Sequence, residues 1–244
     1  METQQMDIDF ARAWDNSRGT YASEFAEKLI DFTNQNNIKV KSIMDICCGS
    51  SNLLRVFNEK GFTCVGTESR QGMFDYSKEN NPNITYIKTE NMYDVPGKHK
   101  VDLVTCTGDI VNYFETFDNW YTFFKNVEKH LNKKGVFVFD YYTKFKLKDW
   151  NETTYTSSEW LDCLTSVKSG LYDKTVINYT YYVNYQNYMI KTRDIVVESY
   201  YEDKDIIEAL NKCGFKNVQL ANKDLVPLSD TEHAERIHVI AMKK

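Results

Sequence analysis

The sequence predicts an α/β fold: a mostly parallel sheet with helices on both faces, carrying a small antiparallel β insertion. Three observations carry that expectation. Short apolar runs alternate with helix-patterned segments from Ser42 to about Tyr141, and such alternation is the pattern of strands joined by crossover helices. One of the runs, VDLVTCTG (Val101 to Gly108), is apolar on both faces, as strands buried in a parallel sheet are. Beyond residue 150 the texture changes to one rich in Tyr, Thr and Val, which favours strands of a different, half-exposed kind.

Each element has its own signal. Thr20 to Asn36 reads as a helix, with Tyr21, Phe25, Leu29 and Phe32 at spacings of three and four. Ser42 to Ile46 is the first strand. Asn52 to Lys60 is a helix ended by Gly61, where the chain wants a left-handed residue. Phe62 to Glu68 is a second strand, Met73 to Glu79 a short helix and Ile84 to Glu90 a third strand. The fourth strand is Val101 to Gly108. Asn119 to Leu131 is a helix with Trp120, Phe123, Phe124, Val127 and Leu131 along one side and Asp118 as its N-cap. Gly135 to Tyr141 is the fifth strand. Two β-type runs follow, KTVINYTYYVNY and YMIKTRDIVVESYY, linked by Gln186 and Asn187 in a hairpin turn. A helix from Asp203 to Cys213, closed by Gly214, leads to two last strands near Val218 to Ala221 and Arg236 to Met242, paired as a hairpin.

Bulk composition narrows the function. The 244 residues carry a formal net charge of −5, with 42% hydrophobic and 14% aromatic residues and three prolines. Duplex nucleic acid requires a basic face, because phosphate neutralisation supplies most of the affinity; this chain is not read as a nucleic-acid binder. No apolar run approaches the ~20 residues that cross a bilayer, and METQQMDIDFARAWD has no basic-then-apolar leader. A cytoplasmic protein off the membrane is expected, as monomer or homodimer. The six cysteines form no CxxC pair and have no histidine at metal spacing, so buried thiols and no metal are expected.

The stretch SIMDICCGSSNLLRVF places a tight turn between the first strand and the next helix. A helix N-terminus offers free N–H groups and partial positive charge, and a glycine in such a turn lets a cofactor approach the backbone. An acidic residue about 20 positions on, ending the second strand, accepts from ribose hydroxyls; Glu68 stands there. A pyrophosphate needs bare backbone, but Cys47 and Asn52 occupy glycine positions of the dinucleotide fingerprint. A cofactor without phosphates is less demanding.

DICCGSSN resembles the first motif of class I S-adenosylmethionine-dependent methyltransferases, D-x-G/A-C-G-T-G-N, with Asp45, Cys48, Gly49 and Asn52 matching. VGTE resembles the second motif. TENM (Thr89 to Met92), DLVTCTGDIVNYF, GVFVFDYYTKFKL, FARAWD and AERIHVIA resemble later and flanking segments of a small bacterial subgroup with a β insertion after the fifth strand. The departures are Cys47 and Ser51, whose Cβ atoms stand where the family keeps small residues; a positive φ there costs on the order of 1 kcal/mol.

The resemblance implies a Rossmann-like sheet of seven strands, with residues 41–150 and 200–244 binding the cofactor, 1–40 as a helical lid and 151–199 as a β insertion over the acceptor. It implies Glu68 on the ribose, Gly49 at the closest approach, and Asp45 orienting the loop or reaching the methionine end. Asn91 and Met92 would flank adenine. Thr107 and Gly108 would lie under the sulfur, Tyr21 would close from the lid, and Cys47 and Ser69 would complete the cofactor set. Asp109 is the candidate base. Asn112, Tyr113, Tyr142 and His233 would face the acceptor. The function expected is methyl transfer from S-adenosylmethionine to a small molecule, leaving S-adenosylhomocysteine, without a metal. The alternatives are a non-catalytic protein with a degenerate site and a nucleotide-cofactor oxidoreductase.

Overall fold

A computed structural model gives the structure of the protein and describes residues 2–171, 174–185 and 188–244. In chain order the elements are α1 (Glu2–Gln35), β1 (Ser42–Ile46), α2 (Asn52–Glu59), β2 (Thr63–Glu68), α3 (Gln71–Asn80), β3 (Thr85–Lys88) and β4 (Val101–Cys106), then a 3-10 turn (Ile110–Tyr113), α4 (Phe117–His130), β5 (Leu131–Tyr142) and α5 (Lys144–Lys148). The insertion follows as β6 (Glu152–Thr156), β7 (Leu161–Leu171), β8 (Lys174–Tyr185) and β9 (Tyr188–Glu198). The chain ends with α6 (Asp203–Lys212), β10 (Phe215–Ala221) and β11 (Arg236–Lys243).

The main sheet has seven strands in the order β10-β11-β5-β4-β1-β2-β3. β1 pairs parallel with β2 and with β4, β2 with β3, and β4 with β5, while β11 lies antiparallel between β5 and β10. The mostly parallel sheet and the terminal hairpin are therefore as the sequence predicts. Strand order reverses at β1, which has β2 on one side and β4 on the other; ligands of such sheets collect at the strands' carboxyl ends there.

Both faces are covered because strand residues point alternately to either side. Met44, Val104, Phe137 and Phe139 meet Trp120, Phe123 and Phe124 of α4. Ile43, Leu103, Val136 and Val138 meet Phe25 and Leu29 of α1 and Leu53 and Phe57 of α2.

Several elements differ from expectation: α5, β6 and β7 were not read from the sequence, and β5 and β10 begin earlier than expected. The helix read from Thr20 begins near the chain start, and its first half packs Phe10, Ala11 and Ala13 against Leu161, Cys163, Tyr181 and Val183 of the insertion. α4 starts earlier and is capped by Thr116, not Asp118: the Thr116 hydroxyl accepts from Asn119 N–H while the Asn119 side chain accepts from Thr116 N–H.

The insertion is a second sheet of order β6-β7-β8-β9, all neighbours antiparallel. Gln186 and Asn187, the expected hairpin link, lie outside the described residues. Among the described residues no helix is long and apolar enough to cross a membrane.

Candidate active site

The loop from β1 to α2 turns by three left-handed residues: Cys47 (φ 57°), Gly49 (φ 54°) and Ser51 (φ 65°). The two non-glycine positions hold this conformation against their Cβ atoms, the strain expected of the family departures. The Ser51 hydroxyl donates to Cys48 Sγ at 3.3 Å, not to the helix N-terminus it precedes. A Cβ built on Gly49 would meet nothing within 4 Å. The bare main chain therefore fronts open space.

Glu68 is buried at the end of β2 and anchors this loop. Its Oε2 accepts from Gly49 N–H at 2.9 Å, and Oε1 accepts from Ser69 and Arg70 N–H, each at 2.7 Å. A carboxylate offers about four lone-pair sites, so one stays available to a ligand hydroxyl. Asp45, also buried, accepts from the Thr105 hydroxyl at 2.6 Å. Burial pushes its carboxyl up to about 7, and the Glu68 charge adds to the rise.

Around the crevice, Cys47 Sγ lies 3.8 Å from the Met92 carbonyl oxygen, and the half-buried Met92 packs on the core edge. Asn91 is exposed and donates to Asp94 at 3.1 Å. From α1, Asp15 accepts from the Tyr76 hydroxyl at 2.8 Å and from the Asn52 amide, tying the long helix to α3 and α2.

At the end of β4, Thr107 is half-buried, and Gly108 (φ 87°) is exposed with no atom within 4 Å of a built Cβ. Gly108 N–H donates to Asp140 at 2.7 Å, and Asp109 N–H to the same carboxylate at 3.3 Å. The Arg236 guanidinium bridges Asp109 and Asp140 and lies 4.0 Å over the Tyr142 ring. Burial pushes the Asp109 carboxyl up and Asp140 adds to this, while Arg236 pulls it back. Neither Asp140 nor Arg236 was singled out from the sequence. The available signal was a carboxylate inside the apolar run GVFVFDY, which demands a cation.

Tyr21 lies on α1 with its ring parallel to Phe25 at 6.5 Å. Tyr21 is 47% exposed, and its phenol is pushed up to about 12 by partial burial and by the nearby charges of Asp140 and Asp109, with Arg236 opposing. Tyr113 is half-buried, its phenol raised by burial and by Asp109, Tyr179 and Glu198. The structure thus brings Tyr21, Asp109, Tyr113 and Tyr142 together.

Two expected acceptor residues take other places. Asn112 is fully buried; its amide donates to the carbonyls of Tyr142 (3.0 Å) and Ser199 (2.9 Å) and accepts from Tyr142 N–H at 2.9 Å. It clamps the 3-10 turn to β5 and to the chain leaving β9. The His233 side chain is 71% exposed, its ring against Phe145, and does not join the cluster.

A third residue was not singled out from the sequence. Glu198, the last residue of β9, is 0% exposed, and both carboxyl oxygens lack a hydrogen-bond partner among the described residues. Burial, with Asp109 adding, pushes its carboxyl up to about 9. Among the described residues no group of three or more His, Cys, Asp or Glu is arranged to hold a metal.

Comparison with known proteins gives the family and the fold. A family model described as "Methyltransferase domain" matches residues 18–220. A curated relative, the putative methyltransferase YqeM of Bacillus subtilis (strain 168), is 25% identical over 111 residues, which span 44% of this chain and 44% of that protein. A S-adenosylmethionine-dependent methyltransferase from Clostridium acetobutylicum ATCC 824 superposes with a TM-score of 0.81 at 20% identity, covering 96% of this chain and 97% of that one. CalS10, a S-adenosylmethionine-bound amino pentose methyltransferase from Micromonospora echinaspora, gives 0.73 at 14% identity, covering 91% and 92%. The chain belongs to the methyltransferase-domain family and has the class I methyltransferase fold.

Proposed function

We propose that the protein transfers a methyl group from S-adenosylmethionine to a small-molecule acceptor. The observation that carries this reading is the pairing of Gly49 with Glu68: open, left-handed main chain beside a buried carboxylate that keeps one acceptor site free. These residues fit an adenosyl group that has no phosphates to demand further glycines. Glu68 would take a ribose hydroxyl, Met92 an adenine face, Asn91 its polar edge, and Asp45 the cationic methionine end. Cys47 and Ser69 would complete the walls, with Thr107 and Gly108 nearest the sulfur.

When bound, the cofactor supplies an electrophilic methyl on a positive sulfur. The chain's own work is to hold an acceptor atom in line and to keep water out; such positioning contributes up to roughly 7–11 kcal/mol. Tyr21 on α1, Tyr113, Tyr142 and the inward tyrosines of β8 would enclose that acceptor, with residues 1–40 and 151–199 as its cover. An enclosed, tyrosine-walled space suits a small molecule, on the scale of the amino pentose for which CalS10 is a methyltransferase.

Calorimetry with S-adenosylmethionine, S-adenosylhomocysteine and NAD tests the reading. Binding of the first two alone is expected. NAD binding alone would point to an oxidoreductase, and no binding to a non-catalytic role. A screen of small acceptors that follows S-adenosylhomocysteine release then tests transfer.

A further inference from the structure

Glu198 has a position that packing alone does not explain. Alternation along β9 sends Ile190 and Glu198 to the inner face, while Met189, Ile195 and Val197 are exposed on the outer one. The end of β9 is fixed by Ser199, whose N–H donates to the Asn112 carbonyl at 2.7 Å and whose carbonyl accepts from the Asn112 amide. This holds Glu198 beside the 3-10 turn, where Tyr113, Tyr142 and Tyr179 all sense its charge. These three tyrosines are themselves only half-buried.

The local charges do not balance. Asp109, Asp140 and Glu198 supply three carboxyls; Arg236 is taken by the first two. Lys174 gives its ammonium to the Glu115 carbonyl at 2.8 Å and to the Ser199 hydroxyl, and not to Glu198. A buried carboxyl without a partner is costly, and a ligand that brings a cation or a strong donor removes that cost. The surrounding tyrosine faces attract the same kind of group.

We propose that Glu198, with Asp109 near it, receives a basic amine on the acceptor and takes its proton, which makes nitrogen the methylated atom. This rests on the methyltransferase reading above. As the ammonium enters, Glu198 gives its own proton to solvent and pairs with it as a carboxylate; the ammonium then passes a proton to that carboxylate and exposes the nitrogen lone pair. That pair forms the N–C bond as the C–S bond of the sulfonium methyl donor breaks, with its electrons staying on sulfur. An N-methylammonium and a thioether result, and charge is conserved. The raised proton affinity of Glu198 lies close to that of an alkylamine, so the proton moves at little cost. An alcohol holds its proton far more tightly and gains nothing comparable.

The test titrates the full chain, saturated with S-adenosylhomocysteine, with cyclohexylamine and cyclohexanol as probes. The amine is expected to bind at least about 10-fold more tightly than the alcohol. Glu198→Gln keeps the shape and removes the proton acceptor; it should weaken the amine about 10- to 100-fold with S-adenosylhomocysteine affinity unchanged. Glu198→Asp, which keeps the charge, should retain part of the amine affinity. Infrared spectra should show a protonated-carboxyl band in the wild type that Glu198→Gln lacks. In turnover, amino sugars should be methylated on nitrogen, and their hydroxyl counterparts should not react. Equal affinity for the two probes, binding of neither, an amine affinity indifferent to Glu198→Gln, or preferred hydroxyl acceptors would overturn the assignment. Loss of S-adenosylhomocysteine binding in the wild type would instead remove the methyltransferase reading beneath it.

Discussion

Glu68 makes three main-chain hydrogen bonds that join the turn after β1 to the turn after β2. Glu68→Ala removes the proposed ribose partner and loosens the loop that holds Gly49. The dissociation constant for S-adenosylmethionine should rise by about 10- to 150-fold, the worth of one charge-assisted pair; calorimetry giving an unchanged constant would remove Glu68 from the site. Asp45 supports a second residue-scale prediction, on pH. Its folded-state value of about 7 lies above the ordinary 3.8 because burial disfavours the charge. A raised value means that its contribution is fully present below about pH 4 and is lost as pH rises through about 7. Asp45→Asn does not titrate, so denaturant midpoints should show the wild type losing stability relative to the variant across that window. Parallel curves would mean that Asp45 is solvated. The two carboxylates differ from Glu198 in legibility. Asp45 and Glu68 end adjacent strands around a recognisable turn, at the spacing a ribose site needs. Glu198 is one acidic residue in a run of β-formers, and its inward register and missing partner exist only once β9 is paired.

At the scale of elements, the short 3-10 turn after β4 ties both sheets together through Asn112. Replacing it by alanine orphans the Tyr142 N–H and the carbonyls of Tyr142 and Ser199 in a buried place. Chemical denaturation should show a loss of about 2 kcal/mol. S-adenosylhomocysteine should bind Asn112→Ala as it binds the wild type, since the β1 and β2 turns are untouched, whereas amine probes should bind more weakly as Glu198 loses its anchor. A loss in both ligands alike would make Asn112 a general core residue. The strands of the main sheet were readable because apolar runs buried on both faces have few other uses. The first half of α1 was not, because Phe10, Ala11 and Ala13 face an insertion more than 100 residues away and not a neighbouring element. The cap of α4 was misplaced by two residues because Asp118 and Thr116 are both good caps by type. The reciprocal bond to Asn119 decides for Thr116.

For the molecule as a whole, Arg70 joins the turn after β2 to both α1 and the insertion sheet. Its N–H donates to Glu68, its side chain pairs with Asp194 of β9 at 2.7 Å, and its guanidinium lies 4.8 Å from the Phe10 ring of α1. A ligand that fixes the Glu68 turn therefore also fixes Arg70 against the small sheet. Hydrogen exchange should show S-adenosylhomocysteine protecting residues 47–52 and 68–70 strongly and β9 near Asp194 weakly. The second effect should not exceed about fivefold, because a partly exposed ion pair contributes at most about 1 kcal/mol. Arg70→Ala keeps the backbone donor to Glu68, so protection of the loop should persist while the increase in β9 disappears. If the β9 increase survives in that variant, the coupling runs instead through Asp15, which joins α1 to Asn52 and Tyr76. Tyr76→Phe should then abolish it, and Arg70 would be only a surface contact.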